Sequence, residues 1–173
     1  MTKGTLRTVL LPGRSEGSEV PLVVTVLERP RTQEAEKSVT LRGDPRYSSA
    51  NQPDGKRTTV LLAHERVQAQ YHLALPQGNH LVEITAKHGM AGPVKIILRV
   101  NGKRWKTVTF GKNNNAYERK AVGILSNFSQ GTLSAQLVND AFTCTKDQLR
   151  SGQTAGCDRN AQVDALTFTR VGP

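Results

Sequence analysis

Two aspartates near the C-terminus have the residue type and the setting of a metal site. Asp140 follows an alternating apolar segment, and Asp158 follows a polar loop that Cys144 and Cys157 bracket. A disulfide between the two cysteines would bring the loop ends, and with them both aspartates, close together. Two adjacent carboxylates repel each other unless one is protonated or a cation lies between them. These residues therefore predict a calcium site, because calcium accepts carboxylate oxygens.

The amides of Asn139 and Asn160 are further candidate oxygen ligands for this ion. The same segment has simpler interpretations, since Asp and Asn often cap turns at strand ends and Arg159 could neutralise either acid. The cysteines cannot form a four-ligand zinc site, because the loop contains no histidine. A disulfide is therefore predicted. It would stabilise the fold by about 3 kcal/mol in the chain-entropy model and indicates an oxidising, extracellular compartment.

Strands must position these residues, because apolar and polar side chains alternate along most of the chain. The clearest runs are residues 67–75, 82–86, 94–100 and 133–137. Pro76–Asn79 predicts a turn, and Asn101-Gly102 predicts a two-residue hairpin, because both residues tolerate positive φ. Residues 126–131 predict a loop. About ten short strands without intervening helices predict an all-β fold, an antiparallel β-sandwich of the jelly-roll type.

The chain divides at Pro30 by its pattern. Residues 1–30 hold two candidate strands joined by a polar turn, and they predict an N-terminal extension that adds edge strands or docks on a neighbour. Residues 31–173 form the predicted β-sandwich module. Within it, residues 43–58 form a long polar segment, and long ordered loops on β scaffolds often carry function.

The acidic segment resembles a known signature. Leu137–Phe142, a loop, and then Cys157–Asp164 are similar to the C-terminal motif of calcium-dependent xylan-binding modules, carbohydrate-binding module families 36 and 60. Glu34-Ala35-Glu36 resembles the opening of these modules. The segments 75–80 and 100–103 are similar to two of their turns. The resemblance runs from about residue 31 to the C-terminus.

The resemblance implies two calcium sites. In the first, Asp140 and Asp158 bind calcium, and sugar hydroxyls complete its coordination shell. The ligand-binding residues are then Asp140, Asp158, Arg159 and, as a ring contact, Tyr47. In the second, which is structural, Glu34 or Glu36 and Asp164 join the first strand of the module to the last. Sugar recognition through calcium also accounts for the low aromatic content of 5%.

The formal net charge of +10 indicates an anionic partner or a solvated basic surface. Eight basic residues fall between residues 95 and 120, where Glu118 is the only acid. Nucleic acid is the weakest hypothesis, because few aromatics are interleaved with these charges. No apolar run has the roughly 20 residues of a membrane helix. No catalytic motif or facing carboxylate pair for glycosidase chemistry is present, so no catalytic residue and no enzyme are predicted.

The sequence therefore predicts a secreted module that binds a polysaccharide through calcium, either a plant-type glycan such as xylan or one that bears uronic acids. The alternative is a structural subunit of a filament, coat or surface layer, built on the same fold and assembled through residues 1–30. A module needs calcium for sugar binding, whereas a subunit assembles without sugar.

Overall fold

The computed structural model of the 173-residue chain describes residues 5–12, 19–26, 30–53, 57–88, 92–111, 116–153 and 156–172. For the first two strands it describes the backbone alone. The strands are β1 (Thr5–Pro12), β2 (Glu19–Val26), β3 (Arg31–Glu34), β4 (Val39–Arg42), β5 (Ser48–Pro53), β6 (Thr58–Leu62), β7 (Gln68–His88), β8 (Val94–Val100), β9 (Lys103–Phe110), β10 (Glu118–Leu137) and β11 (Ala161–Val171). One short 3₁₀ helix (Pro45–Tyr47) and one helix, α1 (Lys146–Arg150), complete the described elements.

Two long strands, β7 and β10, pair antiparallel along nearly their whole length. Ala86 lies opposite Glu118 at one end of the pair, and Ala69 lies opposite Ala135 at the other. The register shifts twice between Leu125 and Gln130, which marks bulges where the strands bend and twist more strongly. Each half of the pair can therefore belong to a different layer of the fold.

The remaining strands attach to the two halves. The first layer, sheet I, runs in the order β9, β8, the second half of β10, the first half of β7, and β4. The second layer, sheet II, consists of the first half of β10, the second half of β7, and β11, whose outer edge pairs in turn with β6, β3 and β2. Every named pairing is antiparallel, and the predicted antiparallel β-sandwich is confirmed.

The main core lies between the two layers. Period-two alternation turns every second side chain inward, so strands of both sheets contribute to one apolar cluster. Tyr71, Leu98 and Leu133 of sheet I and Ile84 and Leu166 of sheet II are at most 1% exposed. Each such side chain stabilises the fold by roughly 1.5–3 kcal/mol relative to an exposed position.

The hairpin prediction at Asn101-Gly102 is confirmed. Both residues have positive φ, +49° and +79°, and Val100 lies directly opposite Lys103. These are the backbone angles of the turn whose twist matches the flanking strands. The Asn101 side chain also accepts a hydrogen bond from the backbone N–H of Thr132 at 2.8 Å, which ties the hairpin to β10.

The predicted turn at Pro76–Asn79 and the predicted loop at residues 126–131 are wrong. Both segments lie inside the long strands β7 and β10. Gly78 and Asn127 have positive φ and lie at the register shifts between Leu125 and Gln130, so they serve bulges instead of turns. Gly131 also has positive φ but pairs in regular register with Leu73. A local pattern does not distinguish these two uses of the same backbone angles.

The N-terminal strands β1 and β2 form an antiparallel hairpin. It joins sheet II where Val26 pairs with Val171 at the end of β11, and β1 lies beside β10. On the face of sheet II away from the main core, Leu81 and Val171 form a second buried apolar cluster. The division of the chain at residue 30 stays a prediction.

Gly43→Ala is expected to destabilise the fold far more than Gly102→Ala. Both glycines have positive φ, but a Cβ at Gly43 would lie 1.9 Å from the backbone oxygen of Arg66, whereas one at Gly102 meets no atom within 4 Å. We expect a loss of about 3 kcal/mol or more for the first and about 1 kcal/mol for the second, measured by urea denaturation. Equal losses would mean that the contact with Arg66 is not formed.

Candidate calcium site

The base of the C-terminal loop is closed covalently and by backbone pairing. Cys144 and Cys157 form a disulfide with a Cα–Cα distance of 4.8 Å across 13 residues of sequence, which confirms the predicted pairing. The Thr143 N–H donates to the Cys157 carbonyl at 2.7 Å, and Phe142 forms an antiparallel bridge with Asp158. The two loop ends therefore run side by side for several residues.

Inside the loop, α1 is a single short helix with its own cap. The Thr145 hydroxyl accepts from the Gln148 N–H at 3.2 Å, and the Gln148 side chain accepts from the Thr145 N–H at 2.8 Å. This reciprocal capping box satisfies two backbone donors at the helix start. The helix lies between the two cysteines in the sequence, whereas both aspartates lie outside them.

The charge of Asp158 is one of several that act on Asp140. Burial raises the pKa of Asp140 above its ordinary value, and the charges of Asp158 and Glu65 raise it further, whereas His64 acts to lower it. The side chain is 17% exposed. Asp140 is thus a partly buried carboxylate whose ionised form is disfavoured until a positive charge approaches it.

Two buried oxygen atoms at this place lack hydrogen-bond partners. They are Oδ1 of Asp140 and Oδ1 of Asn160. The Asn160 amide donates its N–H to Oδ2 of Asp158 at 2.9 Å, so its oxygen belongs to the same cluster. A buried oxygen acceptor without a donor is costly, and a cation can satisfy several at once. Asp140, Asp158 and Asn160 therefore fit calcium as a ligand set.

The side chains of Asn139 and Arg159 form hydrogen bonds with backbone groups. The Asn139 carbonyl oxygen Oδ1 accepts from the Lys95 N–H at 2.6 Å, and its Nδ2 donates to the Pro93 carbonyl at 2.9 Å. The Arg159 guanidinium donates to the Asn139 carbonyl at 2.9 Å. Among the described residues Arg159 forms no ion pair with either aspartate. Both residues fix the backbone on which Asp140 and Asp158 stand.

The turn between β6 and β7 contributes residues that the sequence pattern did not single out. The Asp140 N–H donates to Glu65 Oε1 at 3.2 Å, and His64 Nε2 lies 3.9 Å from Asp140 Oδ2. The Tyr47 ring packs on His64 with a centroid distance of 4.6 Å, so this predicted ring contact does lie beside the cluster. No spacing rule links residues 64 and 65 to residue 140, because only the tertiary fold brings them together.

Phe142 is a third residue that was missed, after His64 and Glu65. It is 56% exposed, an unusual state for a large apolar side chain. Residues directly opposite each other in an antiparallel bridge place their side chains on the same face, so the ring lies on the same side of the bridge as the Asp158 side chain. The available signal was its position two residues after Asp140.

The other predicted metal ligands also meet. Glu34, Glu36 and Asp164 line one open depression of about 520 Å³ on sheet II, because β3 pairs with β11. Oε2 of Glu36 is buried without a partner, but the Asp164 carboxylate forms an ion pair with Arg57. A second calcium would have to share or displace that guanidinium, so these residues fit the metal less well than the loop cluster does.

Among the described residues, no group of three or more His, Cys, Asp and Glu side chains is gathered closely enough to hold a metal ion by itself. The loop cluster combines two carboxylates with an amide oxygen, which is a donor set that suits calcium and not zinc. No described helix has the length and apolar character needed to cross a membrane.

Comparison with solved structures places the fold. No protein-family model matches the sequence, and no curated protein matches it. A family 36 carbohydrate-binding module in complex with calcium and xylotriose is similar, with a TM-score of 0.60 and 15% identity over 80% of this chain and 98% of that one. The chain has the fold of a carbohydrate-binding module.

Two further structures share this fold. A family 35 carbohydrate-binding module from Clostridium thermocellum has a TM-score of 0.59 and 12% identity over 82% of this chain and 98% of that one. An insecticidal crystal protein has a TM-score of 0.58 and 12% identity over 86% of this chain, which covers 23% of that chain. At these identities the likeness concerns the architecture.

Asp140→Asn is expected to stabilise the calcium-free protein and to weaken calcium binding. Because the folded pKa is raised, wild type loses stability as pH rises from the ordinary value of 3.8 through the folded value, and the amide variant does not. Thermal unfolding in EDTA should show a gap that opens between pH 3 and pH 7, with the variant melting roughly 2 °C higher. In saturating calcium the order should reverse, because calcium at a hundredfold excess over its Kd stabilises wild type by about 2.7 kcal/mol.

The matched control is Asp147→Asn, whose carboxylate is 92% exposed in the same loop and should shift neither curve. A variant that melts below wild type in EDTA at pH 7 would show that Asp140 is satisfied without a cation.

Proposed function

We propose that the chain is a secreted, non-catalytic module that binds a polysaccharide through calcium held by Asp140, Asp158 and Asn160. The observation that carries this proposal is the pair of buried, unpartnered oxygens on Asp140 and Asn160 beside the second carboxylate. The similarity to a module whose structure contains calcium and xylotriose supports the choice of both metal and ligand. The disulfide supports export, since such bonds persist in oxidising compartments.

When bound, calcium supplies positive charge and open coordination positions, which neutral hydroxyl oxygens can fill. The residues of this chain perform the other tasks. Asp140 and Asp158 compensate the charge, and Asn160 orients Asp158 by its hydrogen bond. The disulfide and the Phe142–Asp158 bridge hold the two aspartates at a fixed separation. Preorganisation of this kind favours binding, because little order has to be gained when the ligand arrives.

Ring contacts supplement the metal. Phe142 is exposed and lies opposite Asp158, and Tyr47 packs on His64, which lies beside Asp140. A sugar ring presents an apolar face that an aromatic side chain can cover, while its hydroxyls remain free for polar partners. The exposed Phe142 ring is the better platform, because the Tyr47 ring already has a packing partner.

The net charge of the chain supports one class of ligand within this proposal. Xylan and other plant glycans offer adjacent hydroxyls, and glycans with uronic acids add carboxylates that suit a chain of net charge +10. We propose the second group as the preferred ligands. A second calcium held by Glu34, Glu36 and Asp164 requires that the ion pair between Arg57 and Asp164 be broken.

Calorimetry of xylotriose and glucuronoxylan tests the calcium site. Binding should disappear in EDTA and in Asp158→Ala, because the variant removes one of the two carboxylates that hold the ion. Asp147→Ala, with an exposed carboxylate in the same loop, should bind as wild type does. Sugar binding that persists in EDTA would falsify the role of calcium, and calcium uptake without any sugar binding would refute the role as a carbohydrate-binding module.

Phe142→Ala should weaken binding of the same oligosaccharide by roughly fivefold and leave the calcium Kd unchanged, because aromatic contacts are worth about 0.5–1.5 kcal/mol. Leu149→Ala is the control, since Leu149 is the other exposed large apolar residue of the described chain and lies in the same loop at 47% exposure. An equal effect of the two substitutions would indicate a general loss of loop order.

A further inference from the structure

The described strands of sheet I carry positive charge and no acid. The strand segments, residues 39–42, 68–75, 94–100, 103–110 and 126–137, contain no Asp or Glu. Three arginines, Arg42, Arg99 and Arg104, lie on β4, β8 and β9. The described strands of sheet I are therefore basic. In sheet II, by contrast, an arginine pairs with a buried carboxylate, as Arg119 does with Glu83.

Strand register aligns polar side chains across this face. Thr40, Gln70, Ser134, Arg99 and Arg104 lie successively opposite one another from β4 to β9. Their neighbours along each strand, such as Ala69, Leu98 and Leu133, are buried in the main core. Because successive side chains point to opposite faces, the row points away from the main core, and within it Ser134 is only 7% exposed. We call this row, together with Arg42 and Gln136, the basic face.

The arginines of the basic face are held by neutral groups. Arg42 Nε donates to Gln70 Oε1, Arg99 Nη1 donates to Gln136 Oε1 at 2.5 Å, and Arg104 Nη2 donates to the Thr107 hydroxyl at 3.0 Å. Among the described ion pairs, none includes these arginines. Amide and hydroxyl partners orient a guanidinium without cancelling its charge, so its remaining N–H groups stay available for an anion.

The basic face adjoins the calcium site. Gln136 Nε2 donates to the Glu65 carbonyl, and the Glu65 carboxylate accepts from the Asp140 N–H. One residue thus connects the end of the basic face to the loop cluster. A chain-like ligand whose one sugar lies at Asp140 and Asp158 can continue over Gln136 and Arg99, and on this path it passes one exposed acid, Glu65.

The shape of the face favours a polysaccharide over nucleic acid. Five strands about 4.8 Å apart span roughly 19 Å, which is wider than the ~12 Å major groove of DNA. No Phe, Tyr or Trp occurs at the described positions of the row, so single-stranded bases find no stacking platform. A flat array of guanidinium, amide and hydroxyl groups matches a polymer that carries both carboxylates and hydroxyls.

We propose that the basic face is a second binding surface, which recognises the carboxylates of an acidic polysaccharide anchored at the calcium site. The inference rests on the proposed function and deepens it, because it assigns the preference for acidic glycans to Arg42, Arg99 and Arg104. The calcium site binds hydroxyls of any suitable glycan, and the basic face selects those that carry acid groups.

The test is calorimetry in calcium with glucuronoxylan and with the same polymer after reduction of its carboxyl groups. Arg42→Gln/Arg99→Gln/Arg104→Gln should bind glucuronoxylan about tenfold more weakly, since each exposed charge pair contributes a few-fold, and should bind the reduced polymer as wild type does. The control Arg31→Gln/Lys37→Gln/Arg150→Gln removes the same charge from exposed positions elsewhere and should change neither Kd by more than about twofold.

An equal loss in the control triple would overturn the proposal, because net charge alone would then explain the preference. An equal loss of affinity for both polymers would overturn it as well, since the basic face would then not recognise carboxylates. If wild type binds a DNA duplex more tightly than glucuronoxylan at the same salt concentration, the proposal of a polysaccharide ligand is overturned. Asp158→Ala separates this proposal from the function, because it should abolish binding of both polymers, whereas the arginine variant affects only one.

Discussion

The pairing of β7 with β10 is the interaction on which the rest of the structure depends. Strands of 21 and 20 residues run antiparallel through both layers. Among the described strands, β4 and β11 pair with β7, and β8 pairs with β10. In turn, β9 pairs with β8, and β2, β3 and β6 pair with β11. The bulges near Gly78 and Phe128 let one continuous ladder serve two sheets. This ladder places Asp140, which follows β10 in the chain, beside Glu65 in the turn that precedes β7.

Much of this architecture could be predicted from the sequence, because period-two alternation is a local signal. The runs at 82–86, 94–100 and 133–137 all lie in strands, and Asn101-Gly102 makes the expected turn. The continuity of β7 through Pro76–Asn79 could not be predicted, since glycine and asparagine permit both turns and bulges and only long-range pairing decides between them. The short β5 (Ser48–Pro53) was hidden in a segment whose polar composition indicated a loop.

The candidate site divides in the same way. Asp140, Asp158 and the disulfide could be predicted, because the cysteines bracket the loop and bring its ends together whatever the rest of the fold does. His64 and Glu65 could not, because their approach depends on how β6, β7 and β10 pack. The engagement of Asn139 with the backbone of Lys95 and Pro93 is equally a tertiary fact. Residue type alone made Asn139 and Asn160 equivalent, and the hydrogen bonds distinguish them.

The position of the disulfide has a consequence for the evolution of the loop. Both aspartates lie on the sandwich side of Cys144 and Cys157, so the segment between the cysteines is a closed appendage whose ends are held independently of its content. Length changes and substitutions there are tolerated where backbone pairing and burial do not depend on the altered residues. The loop can therefore diversify, or accept a grafted peptide, while the spacing of the two carboxylates at its base stays constant.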